Sequence, residues 1–427
     1  MKLCIFEDER YDLLYPLTLT RATFELRCGT MTLFERIMRA FRSTDAAFFL
    51  RDYLAPVFKE RFGDLAVNDM SLLRNDEVVF ANGRWLPRAG QPLDGDEVVA
   101  TSKGDVVYLR AKRDTVRKAL SESVEKTIDN LRSELSSEEV DARMIEYPWD
   151  LVKYNHEALE EDFDLYRSKR KDMVTLDERV AVVGEKDMVY ISDTARLHPF
   201  VVLDVSAGPI IIDDRARVYP FSRLEGPCYI GRDTWVVRGN IREDTSIGPV
   251  CRVGGEVEAS IIGGYSNKYH TGFLGHAYVG EWVNIGALTT NSDLKNDYST
   301  VDVYVKGKLV DTGDIKVGGF IGDHTKFGIG CLLNTGAVVG VACVILGGEV
   351  LPKYIPSFCW YAGGRYRRGA GLRRTVEAER RVMSRRGIAM SDSYVKMLER
   401  IYQDSREERE TLIKKAERKS ATEERPS

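Results

Sequence analysis

Residues 315–351 read IKVGGFIGDHTKFGIGCLLNTGAVVGVACVILGGEVL, with an aliphatic or aromatic residue at every sixth position: Ile315, Ile321, Phe327, Leu333, Val339, Ile345 and Leu351. The spacing extends upstream through Ile212, Val218, Leu224, Ile230 and Val236, then Ile241, Ile247 and Val253, then Val279 and Ile285. A period of six matches neither a helix nor a simple strand. It is the repeat of a solenoid whose turns each have three short strands, with one inward side chain per strand. Gly231, Gly248, Gly280, Gly286 and Gly322 follow inward positions, where the chain must turn a corner with positive φ or pass close to a neighbour. The reading is a left-handed parallel β-helix of hexapeptide repeats, with roughly nine coils between about residues 180 and 361. An all-β sandwich is the alternative, but its turn signals fall about 8–12 residues apart.

The rhythm fails between Asn291 and Asp314. That stretch must leave the solenoid or remodel a coil, and long loops on rigid scaffolds often carry function. Upstream of the repeat, Lys2–Phe6, Ala46–Leu50, Val78–Ala81 and Val98–Ala100 read as strands, and Thr32–Phe41 and Asp114–Leu135 as helices. This alternation favours an α/β domain with a mainly parallel sheet. His156–Lys171 reads as a charged connecting helix. The charge-rich end carries a short apolar stripe at Tyr394, Leu398, Ile401 and Tyr402, fitting a helix capped by Ser391 or Asp392 that packs over the solenoid's end or a neighbouring subunit. The expected organisation is an α/β domain over 1–165, a linker over 166–180, the β-helix over 181–364 and a helical charged tail over 365–427.

Composition narrows the function. The formal net charge of −4 gives no general attraction to nucleic acid or to anionic membranes. The seven cysteines include no C-x-x-C pair and fit reduced thiols in a cytoplasmic protein. The N-terminus turns acidic before a signal-peptide core could form, and no apolar run approaches the ~18 residues needed to span a bilayer.

Of the five histidines, at 156, 198, 270, 276 and 324, His270 sits in the most unusual setting, GGYSNKYHTGFLGHAYVG over 263–280. The stretch is too polar for a coil core and interrupts the period. Acyl transfer from a thioester to an amine needs a base for the ammonium proton, and imidazole suits that task near neutral pH. The remaining demands are donors for the developing oxyanion and alignment of two substrates. His276, after Gly275 at a corner, is the second candidate, and His324 beside Asp323 fits a structural or a ligand-facing role. The polar run from Asn284 to Asn296 is open to two readings, an asparagine ladder or substrate contact. No histidine, cysteine or carboxylate trio has zinc spacing. The basic cluster Arg365, Arg367, Arg368, Arg373 and Arg374 is read as a solvated face before a phosphate site.

His270-Thr271-Gly272-Phe273-Leu274-Gly275, followed by Val279-Gly280 and Val283-Asn284-Ile285-Gly286-Ala287, resembles the acetyltransferase half of the bacterial bifunctional N-acetylglucosamine-1-phosphate uridyltransferase/glucosamine-1-phosphate acetyltransferase family. A divergent branch of sugar nucleotidyltransferase-like proteins with a β-helix is more similar. Its marks are Gly254-Gly255-Glu256-Val257-Glu258, Gly264-Tyr265-Ser266-Asn267-Lys268 and Asn291-Ser292-Asp293-Leu294-Lys295-Asn296 here. The resemblance covers about residues 1–364 and implies a nucleotidyltransferase-like α/β domain before the β-helix. It implies His270 as catalytic base, Arg242 on the sugar phosphate, Asn291 on the sugar, and Ala287 as a backbone position near the acetyl thioester. Acetyl-CoA as co-substrate, Mg²⁺ with a nucleoside triphosphate, and a homotrimer with CoA between subunits come from the same resemblance.

Departures from the family pattern stand beside it. Phe273 replaces a tyrosine, and the acidic Glu256 and Glu258 stand where a phosphate-binding lysine is usual, with Lys268 expected to restore positive charge. At the N-terminus, Glu7-Asp8-Glu9-Arg10 replaces the usual Gly-rich loop. There Arg21 and Arg27 are expected to clamp triphosphate oxygens and Asp8 to hold Mg²⁺, with structural ion pairs as the alternative for the arginines. The leading expectation is a nucleotide-sugar enzyme that N-acetylates an amino-sugar 1-phosphate and joins the product to a nucleotide. Two alternatives stay open: a nucleotidyltransferase whose β-helix is a trimerisation and regulatory scaffold, and a non-enzymatic nucleotide-sugar sensor.

Overall fold

The computed structural model describes residues 2–63, 65–88, 95–169 and 176–423. The chain forms two compact units, one of Met1–Leu14, Thr20–Arg27 and Met31–Tyr147, the other of Tyr15–Leu19, Cys28–Thr30 and Pro148–Ser427. Parts of the stretch expected as a linker, and residues 424–427 of the tail, lie outside the described residues.

The first unit is built on a seven-stranded sheet in the order Ala66–Val67, Ala46–Phe49, Lys2–Phe6, Val78–Asn82, Asp105–Ala111, Val98–Ser102 and Ser137–Glu139. The four strands from Ala66–Val67 to Val78–Asn82 are mutually parallel. Asp105–Ala111, unseen in the sequence pattern, runs antiparallel to both its neighbours. The central strands are buried apolar runs because helices or loops cover a parallel sheet on both faces. The helix expected at Thr32–Phe41 spans Leu33–Ala40, with Thr32 and Glu35 forming a capping box. The single helix expected over Asp114–Leu135 is two, Arg113–Ala119 and Val124–Glu134. The Ser123 hydroxyl accepts from the Lys126 amide and starts the second, a cap hidden in the continuous amphipathic pattern.

The second unit is a left-handed parallel β-helix followed by three helices, Leu372–Ser384, Asp392–Asp404 and Arg406–Glu423. Its coils stack in parallel register: Ile210 lies against Cys228, Cys228 against Thr245, and Ile261 against Tyr278. The inward residues, among them Ile212, Val218, Leu224, Ile230, Val236, Ile241, Ile247 and Val253, are fully buried and form one core. Ile315 is a correction. It is half exposed, because the chain has only just returned from an excursion there. That excursion carries the antiparallel hairpin Asp302–Val305 with Lys308–Asp311, and it separates Tyr278 from its neighbour across the ladder, Phe320.

The corner glycines act by close approach rather than by positive φ. A side chain on Gly231 would meet Gly248 backbone at 2.7 Å, and one on Gly286 would meet the Gly328 carbonyl at 2.2 Å. The left-handed φ falls on side-chain-bearing residues such as Asp233, Val250, Trp282, Leu288 and His324. Stacking over many coils holds these residues in a conformation that non-glycine residues rarely adopt.

The helical tail packs over the later coils. Tyr394, Met397, Leu398 and Ile401 are buried, and Ile413 joins the solenoid core. The buried imidazole of His324 bonds Glu379 at 2.7 Å and the Tyr394 hydroxyl at 2.7 Å. Lys326 adds a contact of 3.1 Å to the same Glu379 carboxylate. Burial alone would raise the Glu379 pKa, but His324 and Lys326 outweigh it and hold the carboxyl below its ordinary value. His324 is therefore a tie between tail and solenoid. Arg368, from the basic cluster, pairs with Glu410 and Glu417 of the last helix.

Candidate active site

Three consecutive coils depart from the regular period on one face of the β-helix. Trp235–Ile241 pairs with Arg252–Glu258 through a register shift between Val236 and Gly239. On the next coil Asn267–Lys268 and Phe273–Gly275 pair separately with Arg252–Glu258. Residues 269–272 between them form a short loop that leaves the ladder and carries His270.

The loop is pinned on both sides. The Glu256 amide donates to the Gly272 carbonyl at 3.1 Å, and the Leu288 amide to the Thr271 carbonyl at 2.8 Å. Gly255, at φ +68°, lies where a side chain would meet the His270 carbonyl at 2.9 Å. Gly272 is wedged so that a side chain would meet the Thr289 carbonyl at 2.1 Å. The backbone is thus fixed while the His270 ring is exposed, edge-on to Tyr269 with centroids 5.1 Å apart. A rigid backbone presenting an exposed imidazole suits proton abstraction from a bound amine.

Lys268 is placed differently from the expectation. It pairs across the ladder with Val253, whose own partner on the preceding coil is Val236, so it occupies an inward slot. Ile262, Lys268 and Leu274 are in fact six apart, so the period runs through the lysine. The side chain is buried, and its ammonium donates to the carbonyls of Gly254 at 2.8 Å and Gly272 at 2.6 Å. Burial pulls its pKa down to about 8, against the opposing pull of Glu256. Its charge is held from within by the backbone carbonyls on either side of the His270 loop.

Asn291 is also buried, and its side-chain amide makes a two-way bond with Gly275, accepting from the amide at 2.8 Å and donating to the carbonyl at 2.9 Å. This is the ladder reading of that asparagine. Arg242 is half-buried among three carboxylates, Glu258 at 2.6 Å, Glu243 at 3.1 Å and Glu225 at 3.7 Å. Lys316, the first residue after the excursion to reach this face, adds a second cation to Glu258 at 3.2 Å. Glu258 is therefore paired with two cations, one of which sequence reasoning missed, although Arg242 also serves Glu243 and Glu225. Ala287 lies one coil on, beside the His270 loop, its carbonyl accepting from Gly330.

His276 Nδ1 contacts Asp293 Oδ2 at 2.8 Å, and both groups are largely buried. Burial would raise the Asp293 pKa, but His276 and Lys316 hold it below the usual carboxylate value. The signal for this pair lay in the excursion's first residues, which no period orders.

In the first unit, a cavity of about 420 Å³ opens at the carboxyl ends of Lys2–Phe6 and Ala46–Phe49, lined by Glu7, Asp8, Glu9, Tyr11, Arg51, Glu125 and neighbours. Open α/β sheets bind ligands at this end of the strands. Arg51 was missed by sequence reasoning. Its guanidinium pairs with Glu7 at 2.8 Å and lies 4.1 Å from the Tyr11 ring centroid. Asp8 is held by Arg84 at 2.7 Å and by Asn82 at 2.9 Å. The same Arg84, fully buried, also binds Asp105 at 2.8 Å. Among the described residues no group of His, Cys, Asp or Glu is arranged to hold a metal ion. Asp8 as placed is an ion-pair partner, its oxygens already bonded, and it does not fit Mg²⁺. Arg21 is buried and Arg27 half-buried, and neither lines the cavity.

Residues 3–171 match the protein family described as sugar nucleotidyl transferase. The chain is 36% identical over 98 residues to a bifunctional sugar-1-phosphate nucleotidylyltransferase/acetyltransferase of Sulfurisphaera tokodaii, a match covering 23% of this chain and 24% of that protein. It is 25% identical over 271 residues to the bifunctional protein GlmU of Acaryochloris marina, covering 54% of each. The chain thus spans between about a quarter and about half of the length of these relatives. Among solved structures, the UDP-N-acetylglucosamine acyltransferase from Campylobacter jejuni aligns with 56% of this chain and 94% of its own, at 13% identity and a TM-score of 0.23. The resemblance read from the sequence agrees with the matched family and with the two bifunctional relatives. Among the described residues no helix is long and apolar enough to cross a membrane.

Proposed function

We propose that the chain is a two-site transferase of nucleotide-sugar formation, with its β-helix N-acetylating an amino-sugar 1-phosphate from acetyl-CoA. The observation that carries this reading is the exposed imidazole of His270 on a pinned loop that leaves the ladder between Asn267–Lys268 and Phe273–Gly275. In the reaction His270 takes a proton from the substrate ammonium. The freed amine attacks the thioester carbonyl, the C–S bond breaks, and the CoA thiolate leaves and is protonated. Arg242 and Lys316, which share Glu258, are the cations on the same face that a sugar phosphate would have to draw away from their carboxylates. Ala287 borders the loop on the side where the thioester is placed by analogy with the family.

The first unit supplies the second site. A sugar-phosphate oxygen attacks the α-phosphorus of a nucleoside triphosphate and pyrophosphate leaves. The cavity beside Arg51, and the family match over 3–171, support this reading. Arg21 and Arg27 remain candidates for the triphosphate only if the loop carrying them moves towards that cavity on binding. A homotrimeric, cytoplasmic enzyme with small-molecule substrates, as the family analogy implies, fits this proposal.

A second reading makes His276 the base, favoured by its contact with Asp293, since a carboxylate on one ring nitrogen fixes the tautomer and raises basicity at the other. A panel of acyl-CoA donors, amino-sugar phosphates and nucleoside triphosphates, read by mass spectrometry, tests the whole proposal. N-acylated sugar phosphate and nucleotide sugar are the expected products. Formation of nucleotide sugar alone would reduce the β-helix to a scaffold.

A further inference from the structure

The early coils carry a second polar surface that the proposed chemistry does not use. Arg196 pairs across the ladder with Arg217, Arg217 with Trp235, and Trp235 with Arg252. Neighbouring strands lie about 4.8 Å apart, and like charges directly opposite each other destabilise a sheet. The row lines a cavity of about 350 Å³, together with Thr194, Arg215 and Asp233.

Among the described residues no carboxylate forms an ion pair with Arg196, Arg217 or Arg252, although Asp233 is near enough to act on Arg252 electrostatically. Asp233, in the cavity wall, makes a forked pair with Arg215 at 2.7 and 2.8 Å. Of the two carboxylates beside Arg215, Asp213 accepts from the Tyr229 hydroxyl and Asp214 from the Ser192 hydroxyl. Arg252 lies 3.9 Å from the Trp235 ring centroid, and its guanidinium donates to the Cys251 carbonyl at 2.7 Å. Arg386 adds a further cation, bonded to Asn267, which follows Arg252 in the same ladder. Burial and the Arg386 charge hold the Arg252 pKa below its ordinary value. The stacked rings of His198 and Tyr219, 4.8 Å apart, lie on the same coils, and Trp235 receives cation–π contacts from Arg217 at 5.4 Å and Arg252 at 3.9 Å, so Arg196 opposite Arg217 is the like-charge pair that an anion would relieve.

We infer that the Arg196–Arg217–Arg252 row binds a diphosphate or polyphosphate anion, as free pyrophosphate or as the phosphate chain of a nucleotide. Arg196 and Arg217 sit one strand apart and Arg252 two strands beyond Arg217, across Trp235, so an extended phosphate chain can bridge them, and planar forks bind phosphate oxygens in pairs. The cavity fits a small molecule, and the chain's net charge of −4 does not favour a nucleic acid strand. Pyrophosphate is also the by-product of the transfer proposed above, but the inference does not depend on that activity.

The test is calorimetry on the full chain at low salt without Mg²⁺, titrating inorganic pyrophosphate and then adenosine triphosphate. The probes are compared on wild type, Arg196→Ser/Arg217→Ser and Arg51→Ala. Arg196 is exposed and Arg217 half-buried, so their removal should leave the melting temperature within a degree or two of wild type. Pyrophosphate binding that weakens about tenfold or more in the double variant and persists in Arg51→Ala is the expected result. Tighter binding of the triphosphate than of pyrophosphate would identify a nucleotide as the ligand, and the reverse the free anion. No binding to wild type, equal binding to the double variant, or loss only in Arg51→Ala would overturn the inference and leave a solvated arginine face.

Discussion

The coils from Phe320 to Ile355 and those from Trp235 to Asn291 are built on the same six-residue plan and differ in what fills their inward slots. In the later coils the slots hold Ile321, Phe327, Leu333, Val339, Ile345 and Ile355, all buried. In the earlier coils two slots hold Lys268 and Asn291, bonded to backbone carbonyls and amides. A solenoid coil is thus deformed where polar groups inside it satisfy the backbone that the deformation unpairs. The deformed coils are the ones that push His270 outward.

If the later coils depend on apolar filling alone, Ile345→Asp should be the most damaging change. An unpaired carboxylate in that core should remove cooperative unfolding of the second unit, whereas Ile345→Ala should cost about 2–5 kcal/mol. Thermal melting by far-ultraviolet circular dichroism reads both, and a mild effect of the aspartate would show that the coils are not tightly packed. In the deformed coils Asn291→Ala should cost about 2–4 kcal/mol, because it leaves the Gly275 amide and carbonyl unpaired. A cost below that of a typical surface substitution would mean that Asn291 is a ligand contact after all.

Gly255→Ala is a smaller perturbation of the fold and a sharper one of the site. Its left-handed φ and the close His270 carbonyl should cost about 1–2 kcal/mol. Acetyl transfer should fall further than that loss explains, since the loop itself moves. Activity tracking only the folded fraction would separate the loop from catalysis.

The smallest effect concerns Lys268. Its pKa in the folded chain is about 8, below the ordinary lysine value of about 10.4 in the unfolded chain. Between those values the unfolded state holds more protons, so this group makes the wild type more stable as the pH rises from 8 towards 10.4. Relative to Lys268→Met, the wild type should gain about 1 kcal/mol at pH 9 over its standing at pH 7. A difference independent of pH would place the ammonium in water.

The β-helix was legible because stacking forces one inward apolar residue per strand, and a strict period survives in sequence. The inward placement of Lys268 was not read because its polarity masked a position that the period still marked, six from Ile262 and six from Leu274. The early strands of the first unit were legible as short apolar runs, but the break at Leu120–Ser123 was not, since one serine cap decides it. His270 stood out by its setting. The carboxylates around Arg242, the Asp293 contact of His276 and the stacking of Arg51 on Tyr11 depend on residues distant in sequence, and no local pattern encodes them.

The loop that leaves the deformed coils exposes an imidazole placed to deprotonate an amine. Thiol release from acetyl-CoA with glucosamine-1-phosphate, measured as kcat and KM for wild type, His270→Ala and His276→Ala, tests it most directly. The expected result is a kcat about 10²–10⁴-fold lower in His270→Ala with KM little changed, and a much smaller loss in His276→Ala. Undiminished turnover in His270→Ala, or a collapse confined to His276→Ala, would contradict it.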